Sequence, residues 1–377
     1  GRNRPLDALS IAERGRSRAL AEALGIDSVR QQLQLGRIQN ALRIRRQIVL
    51  AYWESPHESY LWLITPSQMK LFKLPDEMEI VRMVEDYNRQ IVEPGDGDDP
   101  ALGQKLYKIL VAPAEKYIPK GADVVIVPHR RLCKLNFETL VSPRPNPHFW
   151  IEDVTIRTMS FLGLLTNSKP ENVRYTRDML LIGAPVEASK DFPVLKHAGE
   201  EVSKVAGHFP QSGETVISGS GATPDAYRSS DPGQYRFLHF ATHGTASDLN
   251  PLDSAIILSP GPQGYKLYAR EISKLRIHPE LVTISTCYGA GKRQYSGEGL
   301  VGLAWAFMRV GAHQVVAALW EVDDESNPQL MDRFYSELTK GKDPATALRD
   351  GKLQMLRSGT YLKEPYYWAS LQLYSGS

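Results

Sequence analysis

The sequence predicts an α/β protein with a mostly parallel sheet flanked by helices, preceded by a small antiparallel meander and an N-terminal helix. The first indication lies after Gly121, where helical stretches alternate with the short apolar runs DVVIVP, DMLLIG, YRFLHFA, SAIILS, LVTISTC and HQVVAAL. Such runs, bounded by turn residues, are typical of strands that helices cover on both faces. The second indication is the series QIVLAYW, SYLWLIT and MKLFKL, which is rich in β-branched and aromatic residues and interrupted by polar breaks. This series favours an antiparallel meander.

Helical periodicity accounts for much of the remaining chain. Residues 5–24 carry apolar side chains at the spacing of one amphipathic helix. The segment EPGDGDDP predicts an exposed loop, because Gly, Pro and Asp disfavour regular structure. Further helices are predicted near 76–92, 100–114, 197–208, 299–310, 325–340 and 344–357, and the last begins with the favourable N-cap pair Asp343–Pro344.

Composition and charge argue against several classes of protein. A length of 377 residues allows two packed units or one elaborated core. The formal net charge of +2, from 45 basic and 43 acidic side chains, creates no global field that favours nucleic acid or an anionic membrane. The sequence shows no apolar run near the roughly 20 residues of a membrane helix and no visible export signal, so we expect neither. With two distant cysteines, Cys133 and Cys287, we expect a cytoplasmic protein without nucleic-acid or membrane partners.

Two strand ends carry residues that could act together. His243 follows the apolar run that ends at Ala241, and Cys287 follows LVTIS in the same way. The carboxyl ends of neighbouring parallel strands meet at one edge of a sheet, which is the usual place for a functional site. An imidazole beside a thiol can remove its proton, and the thiolate is the stronger nucleophile at neutral pH. Gly244 and the small residues around Cys287 would let backbone N–H groups approach a substrate carbonyl as an oxyanion hole.

These residues also have structural interpretations. A cysteine after a strand is more often a small buried hydrophobic residue than a nucleophile. We interpret His239 as a hydrogen-bonded core histidine, and its spacing from His243 on a strand is not the helical HExxH pattern of a metal site. His129 and Cys133 lie close together, but we interpret Cys133 as a partly buried structural thiol.

A glycine pattern imitates a nucleotide site. Gly297, Gly299 and Gly302 have the spacing of a dinucleotide-binding turn, but Cys287 to Ser296 separate them from the preceding strand. In a true fingerprint the glycines follow the strand directly. The segment GAGKR lacks the Ser or Thr that follows the lysine of a P-loop. We therefore predict no nucleotide, metal or other cofactor.

The order of the motifs resembles that of CHAT domains, which are caspase-like cysteine peptidase domains of the separase and caspase clan. The matching segments are IVPHRRLCKLNFETLVSP, DMLLIGAP, FLHFATHG, NPLDSAIIL, ISTCYGAG, GEGLVGLAWAFMRVGAHQVVAALWEVDD and PYYWASLQLYSG, and they lie between about residue 120 and the C-terminus. The resemblance implies that His243 is the general base and Cys287 the nucleophile. It also implies that the backbone N–H groups of Gly244 and Cys287 form the oxyanion hole.

CHAT domains are commonly appended to tetratricopeptide repeats, and this implies a division of the chain. Residues 1–45 would be a helical linker at the end of a tetratricopeptide-repeat region. Residues 46–170 would be the N-terminal, pseudo-protease-like part of the CHAT domain, and residues 171–377 the caspase-like catalytic part. A regulatory partner would then act through repeats that precede residue 1.

The same resemblance implies a pocket for the substrate residue before the scissile bond. Ser285 and the loop Trp320–Asp324 would form it. Glu321, Asp323 and Asp324 make the loop acidic, which would favour a basic substrate residue. Alternatively, Asp323 or Asp324 caps the following helix. Ser285 departs from the acidic residue that arginine-specific relatives tend to carry there.

The predicted function is therefore a cysteine endopeptidase that cleaves a specific protein substrate through a Cys/His dyad, in a regulated bacterial defence or cell-death pathway. The alternative is a catalytically silent signalling or scaffold module with the same fold. The intact pair of Cys287 and His243 argues against that alternative.

Overall fold

The chain forms two compact units in a computed structural model. One unit comprises Gly1–Ser168 with Gln294–Gly299, and the other comprises Lys169–Arg293 with Leu300–Ser377. The structure describes residues 5–16, 18–24, 33–93, 100–166, 173–247, 249–286, 294–295, 299–300 and 302–376.

The first unit is built on a mixed sheet. The strands lie in the order β3-β2-β1-β4-β7; β1, β2 and β3 pair antiparallel, whereas β1, β4 and β7 pair parallel. The predicted meander is thus confirmed as part of a larger sheet. Up to residue 166 the helices and strands are α1 (Pro5–Arg14), α2 (Arg18–Ala23), α3 (Leu35–Arg45), β1 (Gln47–Trp53), β2 (Ser59–Ile64), β3 (Met69–Leu74), α4 (Glu77–Val92), α5 (Ala101–Leu110), β4 (Asp123–Val127), β5 (Val141–Ser142), β6 (His148–Phe149), β7 (Thr155–Met159) and α6 (Gly163–Thr166).

The second unit is built on a mostly parallel sheet. Its strands lie in the order β18-β17-β14-β10-β8-β9, and every neighbouring pair is parallel except β17 and β18. After residue 166 the helices and strands of the chain are β8 (Arg177–Pro185), α7 (Ala198–Ala206), β9 (Glu214–Gly219), α8 (Pro224–Ser229), β10 (Tyr235–Ala241), β11 (Gly244–Thr245), β12 (Ala255–Gly261), β13 (Gly264–Tyr268), α9 (Ala269–Ile272), β14 (Leu281–Ser285), β15 (Gln294–Tyr295), β16 (Gly299–Leu300), α10 (Leu303–Arg309), β17 (Gln314–Ala318), α11 (Asn327–Thr339), α12 (Pro344–Leu356), α13 (Pro365–Trp368) and β18 (Leu371–Ser375). Of these, β15 and the first residue of β16 belong to the first unit.

The prediction of one helix over residues 5–24 is wrong, because α1 ends before Gly15 and α2 begins at Arg18. The buried guanidinium of Arg16 donates to the carbonyls of Tyr52 and, at 3.2 Å, Pro128, and it pairs with Glu13 at 3.1 Å. Glycine has a low helix propensity. The break therefore lies where the chain turns to insert Arg16 among the strand ends of the first unit.

Most predicted strands and helices are confirmed, with two differences. SAIILS forms β12, but this strand pairs antiparallel with β11 and β13 in a separate small sheet rather than in the main one. The helix predicted from residue 299 begins only at Leu303. The predicted N-cap of α12 is confirmed, because the Asp343 carboxylate accepts from Ala345 N and Thr346 N. Residues 94–99 of the predicted loop EPGDGDDP lie outside the described residues.

Candidate active site

The candidate site lies at the carboxyl ends of β10 and β14 in the second unit. These strands are parallel neighbours, as the sequence predicts, and Ala241 pairs with Ser285 at their ends. Thr242 N donates to Ser285 O at 3.4 Å just beyond this pair. His243 therefore follows its strand end by two residues, and Cys287 follows Ser285 by two residues in sequence. Cys287 itself lies outside the described residues.

The ring of His243 is held in one orientation by the loop that precedes α7. Its Nε2 lies 2.8 Å from Pro193 O, and because a carbonyl can only accept, Nε2 carries the proton. Phe192 packs beside the ring with a centroid separation of 5.9 Å. In this arrangement Nδ1 is the ring nitrogen left to accept a proton.

Gly244 continues the chain from His243 into β11. It pairs with Ile256 on β12, and Ile257 N donates to His243 O at 2.9 Å. The small antiparallel sheet therefore fixes the backbone on both sides of the His243 side chain. Gly244 is half-buried, and the second N–H of the predicted oxyanion hole belongs to Cys287, outside the described residues.

A cavity of about 180 Å³ opens beside His243. Its lining includes Ser285, Glu321, Asp323 and Asp324 of the predicted substrate pocket, but not Trp320 at the start of the predicted loop. This volume is below the roughly 300–1,000 Å³ of pockets that enclose a drug-sized ligand. The cavity therefore has room for a single long side chain.

The acidic loop lines the cavity, and two of its carboxylates also accept hydrogen bonds from backbone N–H groups. Asp323 Oδ1 accepts from Ser326 N at 2.8 Å just before α11, and Asp324 Oδ2 accepts from His197 N at 3.0 Å at the start of α7. Asp323 therefore bonds to the residue that precedes α11, in line with the capping alternative. For Asp324 that alternative is wrong, because its partner His197 precedes α7 and not the helix that follows Asp324. Glu321 is exposed, and among the described residues it makes no hydrogen bond or ion pair.

A network of buried polar side chains borders the cavity, and the sequence did not predict it. Glu201 on α7 accepts from Asn327 Nδ2 at 2.8 Å, and the same amide group donates to Ser285 Oγ at 2.7 Å. His239 lies 2.9 Å from the other Glu201 oxygen and 3.0 Å from the Tyr335 hydroxyl. The prediction that His239 is a hydrogen-bonded core residue is confirmed.

The sequence did contain a signal for Glu201. Within α7 the buried residues are Ala198, Glu201, Val202 and Val205, so a carboxylate occupies a position on the apolar stripe. A charged side chain at such a position is expected to be paired or functional, because an unpaired buried charge is costly. That pattern could have marked Glu201 before its contacts were known.

The second histidine–cysteine pair has the structural character that the sequence predicts. His129 Nδ1 accepts from Glu54 N at 3.0 Å, and the ring stacks on Trp53 with a centroid separation of 4.1 Å. Burial lowers the pKa of His129 to about 3. The Cys133 side chain is buried.

The described residues contain no group of three or more His, Cys, Asp or Glu side chains arranged to hold a metal ion. In the same part of the chain, none of the helices combines the length and apolar character needed to cross a membrane. Gly297 of the nucleotide-like glycine pattern lies outside the described residues, whereas Gly302 immediately precedes α10.

A mostly parallel sheet flanked by helices, with a cavity at the strand ends, is the arrangement of a caspase-like α/β fold. Residues 100–377 match the family model described as the CHAT domain. The chain therefore belongs to the CHAT domain family.

Comparisons with individual proteins agree with this assignment. The chain is 31% identical over 107 residues to tetratricopeptide repeat protein 28 of Mus musculus and 25% identical over 114 residues to its Homo sapiens counterpart. These matches cover 28% and 30% of the chain but 4% of each relative. Among solved structures, a Saccharomyces cerevisiae separase–securin complex aligns with a TM-score of 0.61 and 11% identity, over 98% of this chain and 34% of that one. This likeness concerns the fold alone.

Proposed function

We propose that this chain is a cysteine endopeptidase in which Cys287 is the nucleophile and His243 the general base. The observation that carries the proposal is the pairing of Ala241 with Ser285, because His243 and Cys287 each follow these paired strand ends by two residues. Chains that leave adjacent parallel strands in this way start from the same edge of the sheet. Membership of the CHAT family adds support.

The orientation of His243 suits it to the role of base. Because Pro193 O engages Nε2, Nδ1 accepts the thiol proton and the sulfur attacks the substrate carbonyl carbon. The C–N bond then breaks as the imidazolium returns the proton to the departing amine. Water deprotonated by His243 hydrolyses the resulting thioester and releases the thiol. The N–H groups of Gly244 and Cys287 would stabilise the negative charge that develops on the carbonyl oxygen.

The cavity beside His243 would receive the substrate residue that precedes the scissile bond. Ser285, Glu321, Asp323 and Asp324 would contact that residue, since all four line the cavity. The chemistry requires no cofactor. We further propose a cytoplasmic role in bacterial defence or cell death, with residues 1–45 as the link to tetratricopeptide repeats through which a partner controls the peptidase.

Labelling with a peptide electrophile tests the proposal without knowledge of the natural substrate. We expect a peptidyl acyloxymethyl ketone to alkylate Cys287 well before Cys133, because a paired thiolate reacts much faster than a buried thiol. The modified residue is read by intact mass and peptide mapping. His243→Ala should slow alkylation at Cys287 by 100-fold or more, the lower range of general-base effects being about 10².

Two variants provide the controls. Cys287→Ala should keep the circular dichroism spectrum of the native chain and abolish labelling and cleavage, whereas Cys133→Ala should leave the labelling of Cys287 unchanged. Equal reactivity of the two cysteines, or cleavage that persists in Cys287→Ala, would contradict the proposal and favour a non-catalytic binding module.

A further inference from the structure

One wall of the cavity beside His243 is made of buried polar side chains. It consists of Glu201, Ser285, Thr286 and Asn327, of which none is more than 5% exposed. These residues come from α7, from the end of β14 and from the start of α11. We call these four residues the buried wall. The loop acids Glu321, Asp323 and Asp324, which are more exposed, form the outer part of the same cavity.

The charges around the cavity have one sign. Four of its lining residues are carboxylic acids, and none of the described residues that line it is lysine or arginine. Asp323 and Asp324 are partly compensated by the backbone N–H groups of Ser326 and His197. Glu321 has no such partner among the described residues. A cation that enters the cavity therefore meets carboxylates and no lysine or arginine of the described lining, whereas an anion meets like charges from the carboxylates.

A second observation points to a ligand in this cavity. The Thr286 side chain is 1% exposed and lines the cavity, and its hydroxyl has no hydrogen-bond partner among the described residues. A buried hydroxyl without a partner is costly, and native proteins leave few of them. Its oxygen can accept a hydrogen bond from a group that enters the cavity.

The hydrogen-bond directions show how Glu201 is held. The Tyr335 hydroxyl donates to Thr283 Oγ1 at 2.8 Å, so its oxygen accepts from the N–H of His239 Nδ1. Glu201 Oε1 lies 2.9 Å from His239 Nε2, and its Oε2 accepts from Asn327 Nδ2. The network thus fixes the position of the Glu201 side chain in the cavity wall.

We propose that the cavity binds the side chain of a substrate lysine or arginine immediately before the scissile bond, and that Glu201 is the residue that determines this specificity. The inference rests on the proposed peptidase function and assigns the substrate class of that site. Glu201 Oε2 already accepts from Asn327, and a carboxylate oxygen has a second lone pair that can accept from an ammonium or guanidinium N–H. Ser285 and Thr286 add hydroxyl acceptors to the same wall.

The two alternative substrate classes fit less well. An acidic side chain would bring a like charge next to Glu201, and like charges at close range cost several kcal/mol in interfaces. An apolar side chain would place a hydrocarbon surface against the Glu201 carboxylate and leave the Thr286 hydroxyl without a partner. A long basic side chain would pair with the Glu201 carboxylate and could donate a hydrogen bond to the Thr286 hydroxyl oxygen.

The test uses four peptidyl acyloxymethyl ketones that differ only in the residue before the ketone: lysine, arginine, norleucine or aspartate. Norleucine matches the lysine stem without its charge. The measured quantity is the second-order rate constant for alkylation of Cys287. We expect lysine and arginine to react at least about tenfold faster than norleucine, since a desolvated hydrogen-bonded charge pair contributes at least this much, and aspartate to react slowest.

Variants of adjacent glutamates on α7 assign the effect to one residue. Glu201→Gln should bring the lysine-to-norleucine ratio close to one. The matched control is Glu200→Gln, which removes an exposed carboxylate that pairs with Lys204 at 2.8 Å and does not line the cavity, and it should leave the ratio unchanged. If Glu201→Gln does not fold, Glu201→Asp keeps the charge but withdraws it by one methylene, and it should shift the preference from lysine toward the longer arginine.

The possible outcomes distinguish the proposed specificity for lysine and arginine from the proposed peptidase function. Rapid alkylation of Cys287 by the norleucine probe, with no advantage for lysine or arginine, overturns the assigned specificity and leaves the peptidase standing. A folded Glu201→Gln variant that keeps the native ratio overturns the role of Glu201. Failure of every probe to prefer Cys287 over Cys133 removes both proposals.

Discussion

Replacing Glu54 by glutamine should stabilise the chain strongly above pH 6.5. Glu54 is 2% exposed in the first unit, and burial raises the pKa of its carboxyl to about 8, with the nearby Glu77 charge acting in the same direction. Between pH 4.5 and 8 the folded state therefore holds a proton that the unfolded state releases. The stabilising contribution is complete below pH 4.5 and is lost as the pH rises through 8.

The magnitude follows from the difference between the two pKa values. A pH of 7.5 lies about three units above the ordinary pKa of the carboxyl. Keeping the carboxyl protonated in the folded state therefore costs about 4 kcal/mol at pH 7.5 and less than about 1 kcal/mol at pH 5. Glutamine resembles the protonated acid and has no such cost. Glu54→Gln should therefore gain about 3 kcal/mol more at pH 7.5 than at pH 5.

His129 also contributes to the pH dependence of the free energy of unfolding, below about pH 6.5. Because burial lowers its pKa to about 3, the unfolded state binds a proton that the folded state does not hold between pH 3 and 6.5. This makes stability rise with pH in that range and offsets Glu54 between pH 4.5 and 6.5. The decline due to Glu54 should therefore appear on its own between pH 6.5 and 8.

Urea unfolding followed by circular dichroism at pH 5, 6.5, 7.5 and 8 measures the effect. The control is Glu85→Gln, which removes a half-exposed carboxylate near Arg131 and should change the free energy of unfolding by no more than about 0.5 kcal/mol. Parallel profiles of wild type and Glu54→Gln from pH 6.5 to 8 would refute the reasoning.

Two further predictions concern stability, one at Gly183 beside the site and one at the N-terminus of α12. Gly183→Ala should destabilise the chain by about 1–3 kcal/mol and slow alkylation of Cys287, because the added methyl would lie 2.7 Å from Val202 Cγ2 on α7 and 2.9 Å from Ala241 O on β10. The control is Gly199→Ala on α7, where the added methyl faces open space and should not destabilise the chain. If Gly199→Ala lost as much stability as Gly183→Ala, the steric explanation would be contradicted. Asp343→Ala should cost about 1 kcal/mol in thermal unfolding through loss of the α12 N-cap, whereas Asp343→Asn should cost much less; equal losses would show that the cap is not the cause.

Much of the fold could be predicted from local patterns. The runs that become β1, β4, β10, β14 and β17 are mostly apolar stretches, as burial on both faces favours. Strand β9 was missed because ETVISG is only partly buried, and its sheet neighbour lies on one side only. An edge strand of this kind lacks the apolar run by which the central strands are recognised.

The candidate site was predictable only in part. His243 and Cys287 were found because each follows an apolar run, a signal that is local in sequence. Pro193 was not found, since its contribution is a backbone carbonyl and any residue could supply it. Asp324 was linked to the wrong helix, because its hydrogen bond to His197 N joins segments far apart in the chain.

The sequence by itself determined the alternation of buried strands and helices, the start of α12 and the positions of the histidine and cysteine after their strands. Hydrophobic periodicity and capping act over a few residues, so they can be read locally. The tertiary structure alone decided the register of Ala241 with Ser285, the orientation of His243 and the burial of Glu201 in the cavity wall. These features depend on contacts between distant segments, where side-chain packing and the pairing of buried polar groups select one arrangement.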